Sequence, residues 1–270
     1  MSMPFLRPFL ITLGAGLSTS IGAGFAFFVD PEDDKKFSPF LALSAGVMLY
    51  LCFMEMLPDA TEKLTEHLAD DPNRKHSALA WSTFIFFLSM LICAIAEKLS
   101  SWWMSRRKES TKSFKSEKDL RVLSMAMFSA VAVTAHNFPE GMSTFIANSD
   151  PENKFGLAMA FAIGIHNIPE GIAVALPILK ASGSRWRAFL LASLSGLAQP
   201  AAAVIGWAIL GSSMNAAVEA VIYAAVSGIM VYIAVMNLYP VALEYDVTKA
   251  GMWLIAGMAI MAVSLVLLKI

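Results

Sequence analysis

Apolar runs of about 20 residues recur along this chain, each long enough to cross a bilayer as a helix. In hydrocarbon every backbone N–H and C=O must find a partner within its own segment or across a closed barrel. Of the 270 residues, 57% are hydrophobic and 15% charged, where soluble domains average about 45–50% apolar and about 25% charged. The chain therefore reads as an all-α, polytopic membrane protein whose main partner is the lipid bilayer. Spans and short loops take up nearly all of it, which leaves no room within these residues for a soluble catalytic domain.

The pattern divides into eight expected spans, at about 5–29, 37–58, 77–97, 122–147, 155–179, 187–211, 215–240 and 250–270, forming a single polytopic domain. The first run is too long for the core of a signal peptide and has little basic character before it beyond Arg7, so it is expected to persist as a span. Its glycines and serines from Gly14 to Gly24 offer a face for close helix packing. The segment 59–76 is expected to be soluble and is rich in Asp and Glu. Cys52 and Cys93 both fall inside spans and do not form a disulfide framework.

The stretch 98–121 is the most basic, with eight Lys or Arg residues, and Trp102 and Trp103 mark the interface at its start. It is expected to be a solvated, mobile linker. Eight spans put both termini on one side. That side carries six basic residues, and the side of the linker carries fourteen. The positive-inside rule makes the linker cytoplasmic and sends both termini away from the cytoplasm.

Within this apolar frame the same hexapeptide occurs twice: His136-Asn137-Phe138-Pro139-Glu140-Gly141, and His166-Asn167-Ile168-Pro169-Glu170-Gly171. A His, an Asn and a Glu at membrane depth are costly and call for partners or a purpose. The two copies fall in the middle of the fourth and fifth spans, which one short loop makes antiparallel. A motif repeated on neighbouring antiparallel helices is the local signature of an inverted repeat, whose transport site lies near the midplane.

The chemistry follows from the spacing. In each copy His and Glu stand at i, i+4 and project from one helix face. His136, Glu140, His166 and Glu170 supply two imidazoles and two carboxylates, and Asn137 and Asn167 can add amide oxygens. Pro139 and Pro169 have no N–H, so the carbonyls of Ala135 and Ile165 lose their helical partners. Gly141 and Gly171 permit close backbone approach. Mixed nitrogen and oxygen ligands suit zinc and iron(II). Ligating imidazoles must be neutral, so binding is expected to weaken as the pH falls towards about 6.

At these residues the chain resembles the ZIP family of divalent-metal transporters, above all its ZupT-like branch. The resemblance extends over essentially the whole chain. It implies a fold in which spans one to three and six to eight form inverted repeats around the fourth and fifth. It further implies a homodimer and a metal set of His136, Asn137, Glu140, His166, Asn167 and Glu170, assisted by Gln199 in the sixth span and Met48 in the second. Glu55, in Glu-Met-Leu-Pro, matches a position near the outer end of the second span. Two positions depart from the family: Gln199 and Asn237 are neutral amides where many relatives carry carboxylates. Fewer negative charges screen a pair of dications less well, so one occupied metal position is expected rather than two.

The expected function is therefore import of a divalent metal ion into the cytoplasm, zinc foremost, with iron(II) and manganese as further candidates. The metal is the transported substrate, and neither a prosthetic group nor nucleic acid is expected. Two other readings compete. A sensor or pseudo-transporter would bind metal without moving it, and Gln199 and Asn237 are the features that allow it. An intramembrane metal hydrolase would need a general base beside an open metal position, and the H-E-x-x-H signature is missing from the sequence.

Overall fold

A computed structural model of the chain describes residues 5–30, 34–107, 117–149, 154–209 and 216–269. All regular structure among the described residues is helical: α1 (Leu6–Gly24), α2 (Asp34–Leu51), α3 (Leu57–His67), α4 (Arg74–Arg107), α5 (Glu117–Ser149), α6 (Lys154–Ser182), α7 (Arg185–Gly196), α8 (Ala198–Ile209), α9 (Ala216–Tyr232), α10 (Tyr239–Tyr245) and α11 (Val247–Lys269). Six stretches of the described residues are long and apolar enough to cross a bilayer: Leu6–Phe27, Ser38–His67, Arg74–Leu99, Arg185–Ile205, Ala216–Glu244 and Val247–Leu267. The two hexapeptides lie on α5 and α6, helices of 33 and 29 residues.

Four helices depart from the expectation. The second apolar helix does not stop at Pro58. It passes through a π-helical segment, Cys52–Met56, into α3 and continues to His67, so the first half of the supposed soluble segment is helical. Pro58 is tolerated because it stands at the start of α3, where its missing N–H costs least. The preceding turn widens, and Leu57 N–H bonds the carbonyl of Cys52 five residues back. The seventh apolar helix repeats this construction. Its π-helical segment is Ile233–Leu238, the Tyr239 N–H bonds Ala234 O, and Pro240 opens α10. The sixth span, by contrast, is broken at Leu197 between α7 and α8, just before Gln199-Pro200. Finally, α4 runs past its apolar part to Arg107, while the centre of the basic linker, 108–116, lies outside the described residues.

Two packing patterns position the centre of the molecule. α1 and α7 lie against α6, and α8 lies against α5; on the outside, α2 packs on α11 and α4 packs on α9. The α5–α6 pair is thus enclosed, and its polar residues are buried among helices. α4 instead turns Trp81, Phe84, Phe87, Leu91, Ile92 and Ile95 outward, an apolar face suited to lipid.

Candidate metal centre

Where α5 meets α6, four ionisable side chains come together in a volume closed to solvent. His136 and Glu170 are fully buried, and Glu140 and His166 are each only 3% exposed. Their pairing is crosswise. His136 Nε2 lies 2.8 Å from Glu170 Oε1, and His166 Nε2 lies 3.2 Å from Glu140 Oε1. His166 Nε2 also stands 3.9 Å from Glu170 Oε1, its own i+4 neighbour. His136, Glu140 and Glu170 each offer a ligand atom, and these atoms lie within 4.8 Å of one another. Two carboxylates in a low-dielectric interior need compensating charge or donors, and this geometry matches what one small dication requires.

The asparagines, expected to add amide oxygens, use their amide nitrogens elsewhere. Asn137 Nδ2 donates to Ser195 O at 3.0 Å, and Asn167 Nδ2 donates to Ala15 O at 2.8 Å. Each therefore bolts its helix to a neighbour, α5 to α7 and α6 to α1, and only Oδ1 remains for other use. Asn137 Oδ1 accepts from Gln199 Nε2 at 3.4 Å. Asn167 Oδ1 has no hydrogen-bond partner among the described residues, and the same holds for His166 Nδ1, Glu170 Oε2 and Gln199 Oε1. Buried polar atoms are rarely left so, and all four belong to side chains in or beside this cluster, which fits a centre that takes a ligand.

Gln199 joins this group directly. Its Nε2 donates to Glu140 Oε2 at 3.1 Å, so Glu140 receives a histidine on one oxygen and an amide on the other. Close helix contacts make this reach possible. A Cβ at Gly141 would lie 2.2 Å from Gln199 O, and one at Gly171 would lie 2.0 Å from Thr19 O. Both hexapeptide glycines are thus fixed by a backbone crossing immediately beside a carboxylate. The carbonyl of Pro169 accepts from Ser44 Oγ at 2.9 Å, which ties α2 to the proline turn of α6.

The remaining sequence candidates sit elsewhere. Met48 is buried in the packed core of α2, and Glu55 is half-buried in the first π-helical segment. Asn237 is buried in the second π-helical segment and faces Glu97 of α4. With its amide nitrogen turned to the neighbouring oxygens, it donates to Glu97 Oε1 at 3.3 Å and to Met236 O at 3.2 Å. Tyr232 Oη donates to the other Glu97 oxygen at 2.6 Å. Asn237 is thus paired with a carboxylate from another helix, which only the fold brings near. Glu97, Ser44, Ser195 and Thr19 were not singled out in the sequence, and none carries a motif that would have found it.

The chain is similar to known proteins over nearly its whole length. The profile of the "ZIP Zinc transporter" family matches residues 5–125 and 107–265. The chain is 39% identical to the protein named "Zinc transporter ZupT" of Streptococcus mutans serotype c over 269 residues, covering 99% of each chain. It is 41% identical to the protein of that name in Corynebacterium aurimucosum, covering 96% of each, and 42% identical to the one in Chlorobium luteolum, covering 98% of each.

Proposed function

The chain belongs to the ZIP zinc transporter family, and we propose that it carries zinc across its membrane through a single position between α5 and α6. It is an integral, multi-pass membrane protein and not an enzyme. The observation that carries the reading is the crosswise pair of buried contacts, His136 to Glu170 and His166 to Glu140. With neutral imidazoles the four side chains bear two negative charges, which one dication neutralises.

The roles follow from the contacts. Glu140 and Glu170 are the charged ligands, and each exchanges its histidine partner for the metal when the ion arrives. His136 and His166 supply the nitrogens that favour zinc and iron(II) over hard oxygen-seeking ions. Asn137 and Asn167 hold the two helices in register while offering Oδ1. Gln199 supports Glu140 as a neutral donor. A second dication in this centre would bring the total charge to plus two, and for that reason one ion is held at a time.

The broader arrangement we propose has eight spans, with α5 and α6 completing the six apolar stretches, and an inverted repeat that exchanges spans one to three with six to eight. Several paired observations support the repeat. Both π-helical segments carry the same five-residue hydrogen bond followed by proline. α1 lies on α6 as α8 lies on α5, and α2 lies on α11 as α9 lies on α4. Gly16 and Gly196 touch reciprocally: a Cβ on either would meet the other's carbonyl, at 2.6 and 2.4 Å. Both termini face away from the cytoplasm, the basic linker lies within it, and the functional unit is a homodimer.

Uptake of zinc into liposomes containing the purified protein tests this reading, with wild type set against Glu140→Ala and Glu170→Ala. Uptake that both substitutions abolish in folded protein supports a carrier. Metal binding that needs both glutamates but is accompanied by no uptake would make the protein a sensor.

A further inference from the structure

The internal repeat pairs residues one by one around the centre, and one member of these pairs has no assigned role. Asn137 bonds Ser195 O, and Gln199 follows Ser195 by four residues. Asn167 bonds Ala15 O, and Thr19 follows Ala15 by four residues. The backbone of Gln199 lies against Gly141, and that of Thr19 lies against Gly171. The side chain of Gln199 approaches Gly16, and that of Thr19 approaches Gly196. Thr19 therefore stands on the α1 flank of the centre where Gln199 stands on the α8 flank.

The hydrogen bonds of the two flanks differ in one respect. On the Gln199 flank a single amide nitrogen donates to both Asn137 Oδ1 and Glu140 Oε2, at 3.4 and 3.1 Å. On the Thr19 flank the equivalent acceptors are Asn167 Oδ1 and Glu170 Oε2, and neither has a partner among the described residues. Thr19 Oγ1 has none either. Its usual helical acceptor, the carbonyl four residues back, is already taken by Asn167. All three residues are fully buried. Threonine is shorter than glutamine, so its hydroxyl ends before the point where the amide nitrogen would stand.

Two acceptors and one hydroxyl left without partners on one flank have the complement that one water molecule satisfies, since water can donate twice and accept once. Resting on the transport reading above, we propose that Thr19 is a positioning residue of the metal centre: it holds one water against Asn167 Oδ1 and Glu170 Oε2, in the place that the Gln199 amide takes on the other flank. That water keeps the second oxygen of Glu170 solvated and aimed while the first faces His136. The two carboxylates are thus supported unequally, one by a fixed amide and the other by an exchangeable water.

The test compares Thr19→Val, Thr19→Ser and Thr19→Gln in purified protein by zinc calorimetry, and by thermal unfolding in chelator, which needs no metal. A hydrogen bond to a charged group contributes about 1.5–3 kcal/mol, so Thr19→Val is expected to weaken zinc binding about tenfold or more. It should also lower the chelator Tm. Thr19→Ser keeps the hydroxyl, and Thr19→Gln rebuilds the opposite flank without water; both are expected to stay within about threefold of wild type. Combining Thr19→Val with Glu170→Gln should give less than the sum of the two effects. Thr19→Val matching wild type in both measurements, or effects that simply add, would overturn the proposal. If the wild type binds no zinc, the transport reading fails instead, and the chelator cycle still decides the role of Thr19.

Discussion

His136 of α5 is bonded to Glu170 of α6 across 2.8 Å, and the reciprocal contact from His166 to Glu140 spans 3.2 Å. Neither hexapeptide is therefore a self-contained ligand set, because each histidine is held by the carboxylate of the other copy. On the proposed transport reading, a metal entering this centre breaks both cross-helix contacts and replaces them with its own. Binding is consequently a property of the pair of helices.

From this it follows that Glu140→Gln and Glu170→Gln damage the whole centre. Each substitution removes a charged ligand and changes the bond to the opposite histidine. Zinc affinity is expected to fall by at least about tenfold for either one, or ~1.4 kcal/mol. The double variant should lose less than the sum, since both act on one unit. Calorimetry on the purified variants measures this, and independent, additive losses would contradict a shared site.

Gln199→Glu probes the number of ions. Gln199 Nε2 lies 3.1 Å from Glu140 Oε2, so the substitution sets two carboxylates against each other. Like charges about 4 Å apart repel by roughly 4 kcal/mol at an effective dielectric of 20. The metal-free variant should unfold at lower temperature than wild type, and added zinc should raise its Tm more. Metal titration is expected to rise from one tight ion per chain to two. A variant that still binds one ion, with unchanged metal-free stability, would disconnect Gln199 from the ion count.

Much of this centre was legible in the sequence, because duplicated polar residues inside long apolar runs are costly and have few uses. The burial of both copies and their meeting on adjacent helices follow from that cost. The crosswise pairing was not legible, since i, i+4 spacing describes one helix and says nothing about how two helices are rotated against each other. Nor was the outward turn of the Asn137 and Asn167 amides, which depends on carbonyls of Ser195 and Ala15 in remote segments. The continuation of the second span to His67 was hidden by Pro58, which reads as a helix end, because a widened turn before it keeps the backbone bonded. Glu97 stands at the end of the third expected span and carries no motif, and only packing against the second π-helical segment reveals it as the partner of Tyr232 and Asn237.

At the start of α4, Asp71 ties the turn together. Its Oδ1 accepts from Asn73 N–H at 2.8 Å, and its Oδ2 accepts from Ser77 Oγ at 2.6 Å. These bonds favour the ionised carboxylate and lower its pKa, the Ser77 bond contributing most. A depressed folded pKa means that the contribution is complete above the ordinary Asp pKa of about 3.9 and is lost as the pH falls through the folded value. Asp71→Asn should therefore speed hydrogen exchange in the first turn of α4 at neutral pH. Wild type and variant should converge in strongly acidic buffer, after correction for intrinsic exchange rates. A difference that persists unchanged at low pH would show that the ionised carboxylate is not what holds the turn.

The glycines at the helix crossings give the last prediction, because the space around them differs sharply. A Cβ at Gly141 would stand 2.2 Å from Gln199 O and 2.3 Å from its Cα, all backbone, so no side-chain rotation relieves the clash. The same holds for Gly171 against Thr19 O at 2.0 Å. Gly14, on the same helix as Thr19, has nothing within 4 Å of its would-be Cβ. Overpacking typically costs about 1–3 kcal/mol, whereas alanine in an open helical position gains up to about 1 kcal/mol over glycine. Gly141→Ala and Gly171→Ala should therefore lower the Tm in detergent and push α8 and α1 away from the carboxylates, weakening zinc binding as well. Gly14→Ala should leave Tm and binding at or slightly above wild type. If all three variants behave alike, the close approach of these backbones is not what sets the geometry of the metal centre.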